Sequence, residues 1–205
     1  MRDWAVGTNN YKAVDVPEAA DLADLTGIRD DLTSVVDFCI KLREICQTRR
    51  GADFILMDAI WTAITIRYGR CFASGVRKKL DALVVDLVSE LSAEQRSTHE
   101  LLLTLRNRYA AHSVNALEEN QPVVRYWEER VHAEGFLSVE CNTTRQVGVS
   151  GDELDRVQLL ANALLNVVNR RTLTEKKRVL SLLRSRPVAE VLESQAAVPR
   201  PRPAL

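Results

Sequence analysis

The chain has 205 residues with 28 basic and 28 acidic side chains, so it carries no formal net charge. Its composition, 46% hydrophobic and 27% charged, is typical of a folded soluble domain long enough to bury a core without disulfides or metals. The charge balance excludes a protein that attracts nucleic acid or anionic lipid through its overall field. Any contact with nucleic acid must therefore come from a local basic patch.

Cysteine and histidine spacing argues against a metal module. Cys39, Cys46, Cys71 and Cys141 form no C-x-x-C pair, and the histidines lie far from them in sequence. We therefore expect neither a metal nor a cofactor. Cys39 and Cys46, one heptad apart in an apolar pattern, are predicted to be buried thiols of a helix. No signal peptide and no apolar run of ~20 residues is found, which predicts a cytoplasmic protein without membrane contact.

The first half of the chain predicts an N-terminal arm and two helices. Residues 1–20 have no sustained period and form the arm. Apolar residues at three-and-four spacing predict a helix from about Ile28 to Thr48, which Gly51 ends. A second helix is predicted from about Asp53 to Phe72. The amphipathic stretch from Arg77 to Leu91 fits a separate short helix.

Two capping boxes organise the second half. Ser92 with Gln95 opens the next helix, and Ser150 with Glu153 opens a long one that reaches about Arg184 and stops at Pro187. Between them, residues 114–149 break the helical pattern. Leu137, Val139 and Cys141 alternate there with polar residues, which predicts a small hairpin or an irregular insert.

These elements predict an all-α fold, a bundle of four to five helices carrying the insert. The helical domain is expected to span residues 21–187. Residues 188–205 contain three prolines near the end with interleaved arginines, and they are predicted to be a disordered tail.

The segment from Leu105 to Ser113 carries the clearest chemistry. Arg106, Asn107 and His112 place a fixed cation, an amide and a titratable imidazole near the end of a helix. An arginine guanidinium can donate two hydrogen bonds to one phosphate, and histidine can transfer the proton of a ribose 2′-hydroxyl near neutral pH. These are the parts of an RNA-cleaving site.

A regular helix leaves a second interpretation open. At ~3.6 residues per turn, His112 shares a stripe with Leu105 and Tyr109, while Arg106 lies about 120° away. Arg108, four residues before His112, would face it instead. His112 would then be a core histidine at a helix end.

The motif resembles that of the HEPN superfamily (higher eukaryotes and prokaryotes nucleotide-binding). In that family an arginine, often followed by a polar residue, precedes a histidine by four to six residues; here Arg106 and Asn107 precede His112 with five residues between Arg106 and His112. The surroundings are similar to those of bacterial abortive-infection and toxin proteins, and the resemblance covers about residues 28–184.

The resemblance implies a HEPN-like helical bundle and metal-independent RNA cleavage within a defence or toxin–antitoxin type system. It implies that His112 transfers a proton, Arg106 stabilises the phosphorane-like transition state and Asn107 orients the pair. It also implies a homodimer that brings two motifs together, with an antitoxin protein as a further partner. A noncatalytic module that binds nucleotide, RNA or protein, and a purely structural bundle, remain the alternatives.

Other side chains are candidates for holding RNA. Arg70, Arg77 and Arg108 can extend a phosphate-binding surface, and Tyr109 can stack on a base. The competing interpretations are solvated helix arginines and a core tyrosine. His99, one heptad before Arg106 on the same face, is interpreted as an exposed helix histidine.

Overall fold

The computed structural model describes residues 16–47, 53–85, 87–107, 118–128, 135–145 and 149–193. Most of these residues are helical. The elements in chain order are a 3-10 turn Pro17–Ala19, α1 Ala20–Gln47, α2 Phe54–Arg70, α3 Leu80–Leu83, a 3-10 turn Leu87–Glu90, α4 Ala93–Leu105, β1 Glu118–Arg125, β2 Ser138–Arg145, α5 Gly151–Arg184 and α6 Val188–Glu193. The all-α class predicted from periodicity is confirmed at this level.

Helix α1 supplies the centre of the core. One stripe of the helix is buried: Leu25, Ile28, Leu32, Val35, Cys39 and Leu42. The helix begins eight residues before the predicted start at Ile28, because the 3-10 turn with Pro17 in its first positions leads directly into it. Burial raises the pKa of the Cys39 thiol to about 12. Cys46 is exposed, so its predicted burial was wrong.

Helices α2 and α4 pack against this core from defined starts. The Asp53 carboxylate accepts the backbone N–H of Leu56 at the start of α2. At the start of α4, the Ser92 hydroxyl accepts the Gln95 N–H while the Gln95 side chain accepts the Ser92 N–H. The capping box predicted there is confirmed.

The stretch from Arg77 to Leu91 is not one helix. Helix α3 lasts one turn because Val84 leaves the helical region, with φ −127° and ψ 104°. A 3-10 turn then brings Leu87 into the core, where Leu80, Leu83 and Leu91 are also buried. The buried residues are those in the predicted apolar pattern. The extended backbone at Val84 interrupts the helix, so the residues after it do not continue the helical face of α3.

Helix α5 is the longest element, with 34 residues, and lies along α1. Its capping box at Ser150 and its end near Arg184 are both confirmed. Beyond Pro187 the chain forms the short helix α6, so helical structure continues into residues 188–193, where a disordered tail was expected. Residues 194–205 lie outside the described residues.

The insert contains an antiparallel hairpin, as the alternation of Leu137, Val139 and Cys141 predicted. Strands β1 and β2 pair from Glu118 opposite Arg145 to Arg125 opposite Ser138. Val124 opposite Val139 gives one face an exposed apolar pair. Among the described helices, none is long and apolar enough to cross a membrane.

Candidate functional site

The last turn of α2, Arg67-Tyr68-Gly69-Arg70, lies between α1 and α4. Successive helical residues point about 100° apart, so this turn addresses both neighbours at once. Arg67 and Arg70 contact α1, whereas Tyr68 and Gly69 contact α4. The two arginines also lie at the negative end of the helix dipole, which favours cations.

On the α1 side, three arginines of the described chain surround one buried carboxylate. The Asp31 side chain is only 3% exposed. Its Oδ1 accepts a bond from Arg67 Nη1 at 2.8 Å, and its Oδ2 accepts one from Arg77 Nη2 at 2.9 Å. Arg70 Nε lies 3.6 Å from the same Oδ2. Asp31 therefore holds the end of α2 and the following loop against α1.

The loop after α2 is closed by two contacts. The backbone N–H of Leu80 donates to the Cys71 carbonyl at 2.8 Å, and Arg77 Nη2 donates to the Arg70 carbonyl at 3.0 Å. Gly27 leaves room for Arg77, because a Cβ on Gly27 would lie 3.0 Å from Arg77 Nη1. The loop thus returns Arg77 to the place where α2 ended.

A cavity of about 360 Å³ opens beside this loop. Its lining combines two of the arginines with four loop residues: Arg70, Ala73, Ser74, Gly75, Val76 and Arg77. Two arginines and a serine thus border the same space as the apolar residues of the loop. Groups of this kind bind oxyanions.

On the α4 side, Tyr68 is fully buried and bonded to His99. The Tyr68 hydroxyl lies 2.6 Å from His99 Nδ1, and the Phe72 ring packs edge-on against the imidazole with centroids 4.6 Å apart. Burial raises the pKa of Tyr68 well above its ordinary value and lowers the pKa of His99 below 6.5. The phenol is therefore protonated, and the tautomer of His99 sets which of the two groups donates.

These contacts correct the prediction made for His99. His99 was expected to be an exposed helix histidine, but it is partly buried against α2 because its ring fills the space beside Phe72. Tyr68 packs in the core, as aromatic residues at helical spacing usually do.

Arg106 packs directly on the same turn of α2. A Cβ on Gly69 would lie 2.5 Å from Arg106 Cγ, so only glycine lets the arginine stem lie this close. Arg106 Nη1 donates to Asn107 Oδ1 at 2.9 Å. Arg106 is partly buried and Asn107 is exposed, and the backbone of both is π-helical. The guanidinium is thus held at a helix end where the chain meets solvent.

The π turn changes the angular argument made from the sequence. A wheel drawn at ~3.6 residues per turn holds only to Leu105, since a π turn has a wider spacing. Residues 108–117 lie outside the described residues. Arg108, Tyr109 and His112 are among these residues, so the predicted pairing of Arg106 with His112 stays a prediction.

The predicted RNA-binding residues Arg70 and Arg77 are brought together, by a residue that the sequence reasoning missed. Asp31 lies on the apolar stripe of α1, three residues after Ile28 and four before Val35. A charged residue on a buried stripe signals a buried ion pair. The sequence contained that signal but not the identity of the partners.

Comparison with protein-family models, curated proteins and solved structures finds no match to this chain. Among the described residues, no group of three or more histidine, cysteine, aspartate or glutamate side chains could hold a metal ion. The candidate site is therefore defined by its own geometry: arginines on two sides of one helical turn, with Arg106 and Asn107 at the exposed edge.

Proposed function

We propose that the chain is a HEPN-like, metal-independent endoribonuclease of a defence or toxin–antitoxin type system. The observation that carries the proposal is the anchored Arg106 at the end of α4. Its stem packs on Gly69 and its guanidinium is bonded to Asn107. A cation held in this way can meet a phosphate without losing much side-chain entropy on binding.

In the proposed reaction, the ribose 2′-oxygen attacks the adjacent phosphorus and the 5′-oxygen leaves. His112 takes the 2′-hydroxyl proton or protonates the leaving oxygen, while Arg106 stabilises the charge that develops on the phosphorane. Asn107 orients the guanidinium through the bond described above. The products are a 2′,3′-cyclic phosphate and a 5′-hydroxyl.

Local charge supports binding of RNA despite the neutral chain. Arg67, Arg70, Arg77 and Arg106 all contact the last turn of α2 or its partner Asp31. Three of them surround Asp31 on the α1 side and Arg106 lies on the α4 side, and both groups are proposed to contact RNA. Arg108 and Tyr109 are proposed to extend this surface toward a base and its phosphate.

A homodimer completes the proposal. One histidine supplies one proton transfer at a time, so two copies of the motif in one cleft would provide both an acid and a base. An antitoxin protein would act by covering this cleft.

A noncatalytic RNA- or nucleotide-binding module is the second candidate. It is favoured by His99, whose Nδ1 is bonded to the Tyr68 hydroxyl and whose ring packs against Phe72. His99 is the only histidine among the described residues, so no second imidazole accompanies the arginines there.

The test uses the full chain and a mixed RNA substrate in the presence of a chelator. We expect cleavage that leaves 2′,3′-cyclic phosphate ends, and its loss in Arg106→Ala and in His112→Ala. Arg156→Ala, at an exposed position of α5, is the matched control and should cleave normally. RNA binding without cleavage by the wild type would favour the second candidate; full activity in either site variant would discard this site.

A further inference from the structure

A cavity lies between Arg70 and the loop after α2. We propose that it is a phosphate-binding pocket, separate from the cleavage residues, in which Arg70 is the principal cation. The pocket does not require that the chain cleave RNA. It requires only that a phosphate group reach the end of α2.

Charge is the first argument. Three guanidinium groups, of Arg67, Arg70 and Arg77, share the single carboxylate of Asp31, which leaves two positive charges in excess. No second carboxylate bonds to these arginines in the part of the chain that the structure describes. A cluster with such an excess attracts an anion of its own.

The arginines differ in how fully Asp31 occupies them. Arg77 is 21% exposed and is bonded both to Asp31 and to the Arg70 carbonyl. Arg67 makes one short bond to Asp31. Arg70 is 53% exposed, and its closest approach to Asp31 is the 3.6 Å contact through Nε. Among the described residues, no hydrogen bond is made by its two terminal nitrogens, and Arg70 lines the cavity.

The lining and size fit a phosphate. Ser74 contributes an exposed hydroxyl, and a Cβ on Gly75 would meet no atom within 4 Å, so the loop backbone borders open space there. The volume of about 360 Å³ is at the low end of ligand pockets, which run from about 300 to 1,000 Å³. A phosphate group with its water fits within this volume.

Arg70 and Gly69 are consecutive residues of α2, but Arg70 contacts α1 whereas Gly69 contacts Arg106, so the pocket and Arg106 lie on different sides of this turn. Two sources share this chemistry: a backbone phosphodiester of RNA, and the terminal phosphate of a nucleotide. The first source rests on the proposed function and the second does not. The experiment below separates them.

The primary test is titration of the full chain with inorganic phosphate, with chloride at matched ionic strength as reference, followed by thermal unfolding and calorimetry. We expect phosphate to stabilise the wild type, and Arg70→Gln to weaken phosphate binding about tenfold or more, as loss of a charged hydrogen-bond donor predicts. Arg156→Gln, an equal charge change at an exposed site on α5, should bind like the wild type. No phosphate response in the wild type, or equal responses in the two variants, would overturn the pocket.

A second pair of variants leaves every arginine in place. Gly75→Asp puts a negative charge on the lining, whereas Gly75→Asn has nearly the same shape without the charge. We expect the aspartate variant to lose the phosphate response and the asparagine variant to retain it. Equal responses of these two folded variants would contradict the proposal even if Arg70→Gln failed to fold.

The source is identified with an uncleavable 2′-O-methyl RNA and with a nucleoside diphosphate. A tenfold loss in Arg70→Gln for the RNA alone assigns the phosphodiester, and a loss for the diphosphate alone assigns the nucleotide. Arg106→Ala should keep its response to inorganic phosphate in either case. If cleavage fails while that response persists, only the proposed function is lost.

Discussion

Among the described residues, two buried carboxylates are paired with arginines, but the surroundings of the two pairs differ in charge. Asp31 and Glu175 are each 3% exposed. Glu175 is held by Arg171 and Arg178 of its own helix, at i−4 and i+3. Asp31 is held by arginines from α2 and the following loop, which are distant in sequence.

The balance of charge separates the two clusters. Arg178 also donates to the Glu18 carbonyl at 2.6 Å, and Arg186 pairs with the Glu18 carboxylate, so the Glu175 region contains a second acid and ties the N-terminal 3-10 turn to α5. The Asp31 region has an excess of arginine and a cavity beside it. The ion pairs around Glu175 thus connect the N-terminal 3-10 turn to α5, whereas those around Asp31 leave an excess of positive charge.

The largest effect is expected from removing either carboxylate. Asp31→Ala and Glu175→Ala should each lower the free energy of unfolding by about 2–3 kcal/mol, because each removes charged contacts to at least two arginines, which remain partly solvated. Denaturant titration measures this loss. The unfolding free energies of the two variants should then differ in phosphate buffer, because we expect phosphate to restore part of the stability of Asp31→Ala only. Equal restoration of both would break the distinction between the clusters.

Gly69→Ala tests how closely Arg106 must approach the arginine-rich turn. The new methyl group would lie 2.5 Å from Arg106 Cγ, and overpacking of this kind costs about 1–3 kcal/mol. We expect RNA cleavage to fall as well, since the guanidinium must move. Gly27→Ala is the control, because its 3.0 Å contact is with the flexible end of Arg77 and should cost less. Greater destabilisation by Gly27→Ala would show that the contact with the Arg77 guanidinium is more rigid than the contact with the Arg106 side-chain stem.

A smaller effect is expected in the Glu175 cluster. Arg178→Gln removes the bonds to Glu175 and to the Glu18 carbonyl, but the side chain is 43% exposed, so we expect a loss of only about 1 kcal/mol. Its phosphate response should equal that of the wild type. A reduced response, measured by the same thermal titration, would mean that the Glu175 cluster also contributes to anion binding.

The smallest effect concerns pH on the α4 side of the same turn. Burial lowers the pKa of His99 in the fold below 6.5, so the unfolded chain binds the proton more readily. This contribution to stability is therefore complete above about pH 6.5 and is lost as the pH falls through the folded pKa. Unfolding free energies of the wild type and His99→Gln, compared above and below that pH, should converge in acid. A constant difference would show that the imidazole titrates normally in the fold.

Local chemistry explains which parts of the fold were predictable. Both capping boxes rest on contacts over three residues, and the hairpin rests on alternation within one strand, so neighbouring residues contain the whole signal. The early start of α1 was missed because a 3-10 turn leads into it without an apolar period. The tail prediction missed α6 because Pro187 ends α5 but is compatible with the start of another helix.

The sequence by itself determined the helical class, the long α5, the hairpin and the candidate motif at Arg106 and Asn107. Only the tertiary structure decided which arginines meet Asp31, that His99 bonds to Tyr68, and that Gly69 admits the stem of Arg106. These pairs are separated by 31 to 46 residues or depend on a glycine that has no side chain to signal its role. A periodic pattern records that a face is buried, whereas the partner that buries it depends on how the helices pack.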